Sequence, residues 1–229
     1  MDIKKIRIAL DGPSGAGKST IAKEIAARLG IVYVDTGALY RTVGLWVMQN
    51  GVAHDDTEGI IALLPSVEIE LLYRDGEQVV LLHGEPVGNR IRTPEASMYA
   101  SAVSKIPAVR EKLLGLQKDL AAKGGVIMDG RDIGTVIMPD AELKVFMTAT
   151  LEERAKRRYK ELCEKGMETT YEEVLADMEA RDKNDRERES APCVPAEDAV
   201  QFVNDGYTVE TSADYIIDLA EKRCKNTAI

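Results

Sequence analysis

Gly12, Pro13, Ser14, Gly15, Ala16, Gly17, Lys18 and Ser19, followed by Thr20, spell G-x-x-x-x-G-K-[ST]. This spacing has a physical purpose. Glycines let the backbone curl until successive N–H groups face phosphate oxygens, and a helix starting at the lysine adds its positive end. Lys18 then offers a mobile charge to the β and γ phosphates, and the Ser19 hydroxyl suits a Mg²⁺ octahedron. The chemistry implied is binding of ATP or GTP. A GTPase switch would carry N-K-x-D, and the nearest string, Lys183-Asn-Asp185, lacks that order. A motor or remodelling ATPase usually needs more chain, which leaves a phosphoryl transferase with a small acceptor or an ATP-binding module without transfer.

Transfer to an acceptor is mostly positioning and charge stabilisation, so it needs a second set of cations. Met128-Asp-Gly-Arg-Asp-Ile-Gly134 directly follows an apolar run, placing Asp129, Arg131 and Asp132 at the carboxyl end of a strand, where open parallel sheets bind ligands. Asp129 stands as a Walker-B-type aspartate would, reaching Mg²⁺ directly or through water. Arg41 follows a second strand that ends at Asp35. Arg154, Arg157 and Arg158 stud one charged stretch, and Arg181, Arg186 and Arg188 another. Charged helices are usually solvated faces; the sharper reading is an arginine-bearing lid that closes over phosphates and excludes water.

The elements that must position these residues can be read from periodicity. Ile6–Leu10 is a short apolar run ending at Asp11-Gly12, hence a buried strand. Apolar residues at 21, 25, 26 and 29 predict a helix from Lys18 to Leu29 that Gly30 stops. A second strand, Ile31–Val34, precedes a helix through Leu39, Val43 and Val47 that closes at Asn50-Gly51. Strand, loop, helix, strand, helix opens an α/β fold with a parallel sheet. The rhythm then changes: Val67, Ile69 and Leu71 alternate with glutamates, Asp75-Gly76 turns, and Val79–Leu82 returns, an antiparallel hairpin inserted within about Val52–Asn89. Two helices follow Pro94 and Pro107, and strands return at Val126–Met128 and Leu143–Met147. Thr150/Glu153 and Thr170/Glu173 fit capping boxes opening two charged helices separated by Gly166. A last edge strand is expected at Tyr207–Glu210, with Ser212 capping a terminal helix.

The 229 residues suit one domain with an insertion, and 45% hydrophobic with 30% charged residues is enough for a real core. The balance of 30 basic to 39 acidic residues argues against coating nucleic acid, though not against a basic pocket for one small anion. Three cysteines without a CxxC pair read as reduced thiols, and two histidines give little material for a Cys/His metal site. The N-terminus lacks a signal-peptide pattern and no stretch approaches a membrane span, so a cytoplasmic protein is expected.

Taken together, Gly12–Thr20 (GPSGAGKST), Asp35–Arg41 (DTGALYR), Asp129–Val136 (DGRDIGTV), the run Glu152–Arg158 and the segment Arg181–Arg188 resemble bacterial cytidylate kinases over essentially the whole chain. The resemblance implies a nucleoside-monophosphate-kinase fold: a five-stranded parallel core (1–36, 90–153 and 167–229), an acceptor-binding part with the inserted hairpin (37–89) and a lid (154–166). It implies a monomer that phosphorylates CMP and dCMP from Mg²⁺-ATP, with no nucleic acid polymer or membrane as partner. Residues 12 to 20 would bind ATP, with Ser19 and Asp129 serving Mg²⁺. Lys18, Asp129, Arg131, Arg157 and Arg158 would act in transfer. Arg41 and Arg131 would hold the acceptor phosphate, and Thr36 (commonly Ser in the family) would also bind CMP; Ser101, Arg110 and Asp132 would contact cytosine; Arg181, Asp185 and Arg188 would surround sugar and phosphates.

Overall fold

The computed structural model describes residues 1–74 and 77–226. In chain order the elements are β1 (Arg7–Asp11), α1 (Lys18–Leu29), β2 (Val32–Asp35), α2 (Thr36–Gln49), α3 (Thr57–Leu63), β3 (Ile69–Arg74), β4 (Glu77–Leu82), β5 (Glu85–Pro86), α4 (Pro94–Val103), α5 (Pro107–Ala122), β6 (Val126–Gly130), β7 (Leu143–Thr148), α6 (Leu151–Glu164), α7 (Tyr171–Glu187), β8 (Val200–Val203) and α8 (Val209–Asn226). A π-helical turn, Ile133–Ile137, follows β6. The expected α/β architecture is present: a five-stranded parallel sheet ordered β2-β6-β1-β7-β8 and a three-stranded antiparallel sheet ordered β3-β4-β5.

The chain forms two compact units, Met1–Ile31 with Gly124–Ile229, and Val32–Lys123. In the first, β1 pairs in parallel with β6 on one side and β7 on the other. Ile8, Leu10, Ile127, Met128, Leu143, Val145 and Met147 are all essentially inaccessible to solvent. Near-continuous apolar runs of this kind are what a sheet covered on both faces requires. Helix α1 contributes Ile21, Ala22 and Ile25 to this core and α8 contributes Ala213, Ile216 and Ala220.

The second unit has its own core of Leu39, Val43, Ile60, Val80, Leu82, Val103 and Val109. Helix α2 meets α4 closely: a Cβ on Gly44 would sit 2.9 Å from the Tyr99 Cβ, so a larger residue there would force the helices apart. Strands β3 and β4 pair from Ile69↔Leu82 to Arg74↔Glu77, as the glutamate alternation predicts. The Asp75-Gly76 turn lies outside the described residues. Neither β5 nor α3 was expected.

Three local expectations need correction. The last strand is Val200–Val203, and Tyr207–Glu210 is not a strand, because Thr208 opens a helix there. The Thr211 N–H donates to Thr208 Oγ1 at 3.2 Å and the Thr208 N–H to Thr211 Oγ1 at 2.9 Å, a reciprocal cap that overrides the β-branched run. Ser212 therefore lies inside α8, with a buried hydroxyl, and caps nothing. The box at Thr170/Glu173 closes in both directions. That at Thr150/Glu153 is half made: the Glu153 N–H reaches Thr150 Oγ1 at 3.4 Å, but Asp205 takes the Thr150 N–H at 3.1 Å and Glu153 pairs with Lys156.

Candidate active site

Within the first unit the glycine-rich loop leaves β1 at Asp11 and enters α1 at Lys18. Gly12 has φ 146°, and a Cβ there would lie 1.9 Å from the Met147 carbonyl oxygen, so only glycine fits. Gly17, at φ 89°, caps α1 without a side chain. Lys18 folds back on the loop, donating to the Gly12 and Pro13 carbonyls, each at 2.7 Å. Burial, reinforced by the charge of Arg131, pushes its ammonium down to about 7; Asp129 and Asp11 partly resist. The Ser19 hydroxyl donates to Asp129 Oδ2 at 2.7 Å, bringing together two hard oxygen donors from the loop and from β6. That donor set fits Mg²⁺, which takes oxygen ligands and one or two carboxylates beside substrate phosphates.

The turn after β6 carries a dense set of buried charges. Arg131 Nε donates to Asp185 Oδ2 at 2.8 Å and its Nη1 to the Gly130 carbonyl at 3.3 Å. Burial works against the Arg131 charge, and Asp185 outweighs it and keeps the guanidinium protonated. Burial likewise raises Asp185, but Arg131, Arg181 and Arg188 together hold it below the usual carboxylate range. Arg188 Nη2 stands 3.5 Å from Asp132 Oδ1, both side chains 5% exposed. So Arg131, Asp132, Arg181, Asp185 and Arg188, which are up to 57 positions apart in sequence, meet in one cluster built by the β6 turn and the end of α7.

The arginines of α6 divide. Arg154 is buried, with Nε on the Ala149 carbonyl at 3.0 Å, Nη1 on the Ser14 carbonyl at 3.0 Å and Nη2 on Asp182 at 2.6 Å. It thus staples α6 to both the glycine-rich loop and α7. Arg157 donates to Asn204 Oδ1 at 3.4 Å, and Asn204 in turn donates to the Ala16 carbonyl at 2.9 Å. Arg158 pairs with Glu161 one turn on, at 2.8 Å.

The second unit holds the remaining expected residues. Asp35 caps α2 through the Ala38 N–H at 2.9 Å and pairs with Arg41 at 2.8 Å and Arg92 at 3.1 Å. Burial raises its carboxyl, and the two guanidinium groups more than reverse that. Thr36 is the buried first residue of α2. The Gln78 side chain, from β4, accepts from the Asp35 N–H at 2.7 Å and donates to the Asp35 carbonyl at 3.2 Å. Ser101 lies on α4, its carbonyl accepting from Ser104 Oγ at 3.0 Å. Arg110 Nη1 reaches the Ser104 carbonyl at 3.3 Å, and its guanidinium lies over the Tyr40 ring, 5.6 Å from the centroid.

Several residues of these networks have no sequence signal: Asp182 and Asn204 behind the loop, Arg92 beside Asp35, and Cys193. The Cys193 N–H holds the Asp185 carbonyl at 2.7 Å, and burial pushes its thiol up to about 11 against the pull of Arg131 and Lys18. Asp11 carries a positional signal only, as the last residue of a strand before a glycine. Its carboxylate accepts from the Ile133 N–H at 2.8 Å and the Gly134 N–H at 2.7 Å. Burial lifts it to about 6, those two donors pulling it down and Asp132 pushing it up.

A glycine-rich phosphate loop on a five-stranded parallel sheet, with a buried Lys18 and a paired Ser19 and Asp129, defines a P-loop phosphotransferase. The same architecture occurs in a gluconokinase from Sinorhizobium meliloti, which is 12% identical, with 98% of this chain and 97% of that chain covered at a TM-score of 0.51, a likeness of fold alone. Sequence comparison is more specific. The cytidylate kinase family model matches residues 8–222, and this chain belongs to that family. It is 50% identical to the cytidylate kinase of Caldicellulosiruptor bescii over 98% of this chain and 99% of that protein, and 51% identical to that of Caldicellulosiruptor saccharolyticus over 96% and 97%. It is accordingly an ATP-dependent nucleoside monophosphate kinase. Among the described residues no helix is long and apolar enough to cross a membrane.

Proposed function

We propose that this protein, whose reaction is transfer of the γ-phosphoryl group of ATP to CMP, also accepts dCMP and works as a cytoplasmic monomer with Mg²⁺. The observation that carries the residue-level reading is the buried cluster at the end of β6. Arg131–Asp185 at 2.8 Å and Arg188–Asp132 at 3.5 Å gather four charges that are largely withdrawn from water. Such burial is expensive for stability alone, and perturbed charges gathered at a strand's carboxyl end are the mark of a ligand site.

On this reading the N–H groups of the loop from Gly12 to Thr20, Pro13 excepted, cradle the donor phosphates, and Lys18 leaves the Gly12 and Pro13 carbonyls to neutralise charge on the transferred group. Ser19 and Asp129 would hold Mg²⁺, which when bound offsets charge on the phosphate oxygens. Arg41 and Arg131 take the acceptor phosphate, and Thr36 also binds CMP; Arg157 and Arg158 face the phosphoryl in flight as the 154–166 segment closes. Arg181, Asp185 and Arg188 surround the sugar and phosphates. The base is told from uracil by inversion of its edge: Asp132 accepts from the cytosine amino group and would repel the O4 of uracil, Arg110 can donate to N3 and O2 of cytosine only, and Ser101 serves either sense.

A coupled assay of ADP formation with ATP and a panel of CMP, dCMP, UMP, AMP, shikimate and gluconate tests this. Turnover of CMP and dCMP is expected, abolished by EDTA and restored by MgCl₂. Rapid turnover of shikimate or gluconate, or ATP binding without any transfer, would overturn it.

A further inference from the structure

The parallel pairing of β1 with β6 ends at Asp11↔Gly130, so no backbone ladder reaches the turn that carries Arg131 and Asp132. A side chain takes over at that point. The two oxygens of Asp11 receive the N–H groups of Ile133 and Gly134, 122 and 123 positions away, at 2.8 and 2.7 Å. These are the first two N–H groups of the π-helical turn, directly after Asp132. The approach is close: a Cβ on Gly134 would stand 3.4 Å from Asp11 Oδ2 and 3.2 Å from the Lys144 side chain. Asp11 is also the residue that precedes Gly12. One buried carboxylate therefore joins the start of the donor loop to the segment after the acceptor-side charges.

We infer that Asp11 is a positioning residue for the acceptor nucleotide: it fixes the register of Arg131 and Asp132 against the phosphate loop, and this rests on the reading that Arg131 and Asp132 hold CMP. The chemistry favours a carboxylate specifically. Two N–H donors need two acceptor oxygens, and an amide in the same place would turn its NH₂ group against one of them, leaving a buried donor unpaired. The turn would then relax at Asp132, while the glycine-rich loop would keep its own bonds from Lys18, Arg154 and Asn204.

Steady-state kinetics of Asp11→Asn, varying CMP at saturating ATP and ATP at saturating CMP, separate this role from plain structural support. The expected result is a rise of about tenfold or more in KM for CMP, a clearly smaller rise in KM for ATP, since Asp11 also supports the Lys18 charge, and a fall in the CMP-to-UMP ratio of kcat/KM. An equal or larger rise in the KM for ATP, or no change in either, overturns the inference. Asp132→Ala in the Asp11 background tells the two layers apart: if it leaves the KM for CMP unchanged the reading of Asp132 fails, whereas a raised KM there beside an unaffected Asp11→Asn removes the clamp alone. Should Asp11→Asn not fold, amide exchange of the natural protein decides it. Exchange at 133 and 134 should slow on adding CMP and not on adding ATP alone; no slowing with CMP refutes the inference.

Discussion

Replacing Arg154 by alanine should destabilise the protein and loosen ATP together. The side chain has three tethers: the Ala149 and Ser14 carbonyls at 3.0 Å each, and Asp182 at 2.6 Å. Truncation strands Asp182, whose other oxygen is already buried without a hydrogen-bond partner. Losing one partner of a buried ion pair costs about 3–5 kcal/mol, and the 14% exposure of Asp182 argues for the lower end, about 3 kcal/mol. In a chain of this length a kilocalorie is ~2–4 °C of Tm, so thermal unfolding followed by circular dichroism should show a fall of ~6–12 °C. Asp182→Asn removes the charge and should recover part of that loss when combined with Arg154→Ala, giving a non-additive cycle. Arg154→Lys should restore little, because an ammonium cannot span three acceptors in fixed directions. The KM for ATP should rise as well, since Ser14 loses its brace. A Tm drop below about 3 °C, or strict additivity with Asp182→Asn, would refute the reasoning.

Lys18→Ala should leave the fold intact and lower kcat by roughly 10²–10³-fold or more, the effect of removing one preorganised charge contact; near-normal kcat in a folded variant would sink the assignment. Because the Lys18 ammonium sits at about 7 without nucleotide, and phosphate oxygens favour its charged form, ATP binding should take up protons at pH 8 and cease to do so well below pH 6; calorimetry in buffers of different ionisation enthalpy reads this, and zero uptake at pH 8 contradicts it. Asp132→Ala should lower kcat/KM for CMP far more than for UMP, and an unchanged ratio removes Asp132 from base reading.

What could be read in the residues was whatever is local. The glycine-rich loop, the apolar runs of β1, β6 and β7 and the Glu68/Glu70 alternation each state their own structure within a few positions. The cap at Thr208 was local too, yet a Tyr-Thr-Val run obscured it, while Val200–Val203 hid behind its own half-exposed pattern and only Phe202 is buried there. Contacts across 50 to 190 positions leave no spacing to read. Asp11 on the π-helical turn, Arg154 on Ser14 and Asn204 on Ala16 are side chain to backbone bonds, so the partner's residue type carries no signal. The arginines of α6 read as a lid or as a solvated face, and neither reading carries the contacts of Arg154 with Ser14 and Asp182, which charge count alone cannot show.

The contact between Gln78 and Asp35 bears on how this chain avoids other chains. β2 is the outermost strand of the larger sheet, and an outer strand presents unpaired peptide groups to any extended segment that arrives. At Asp35 those groups are taken by an amide that imitates a peptide, its oxygen on the N–H and its NH₂ on the carbonyl. The inserted sheet thereby supplies a stopper for the end of that outer strand. Gln78→Ala, which leaves the Val80 and Leu82 core in place, would bare the Asp35 peptide groups, and self-association at high concentration is the consequence to expect.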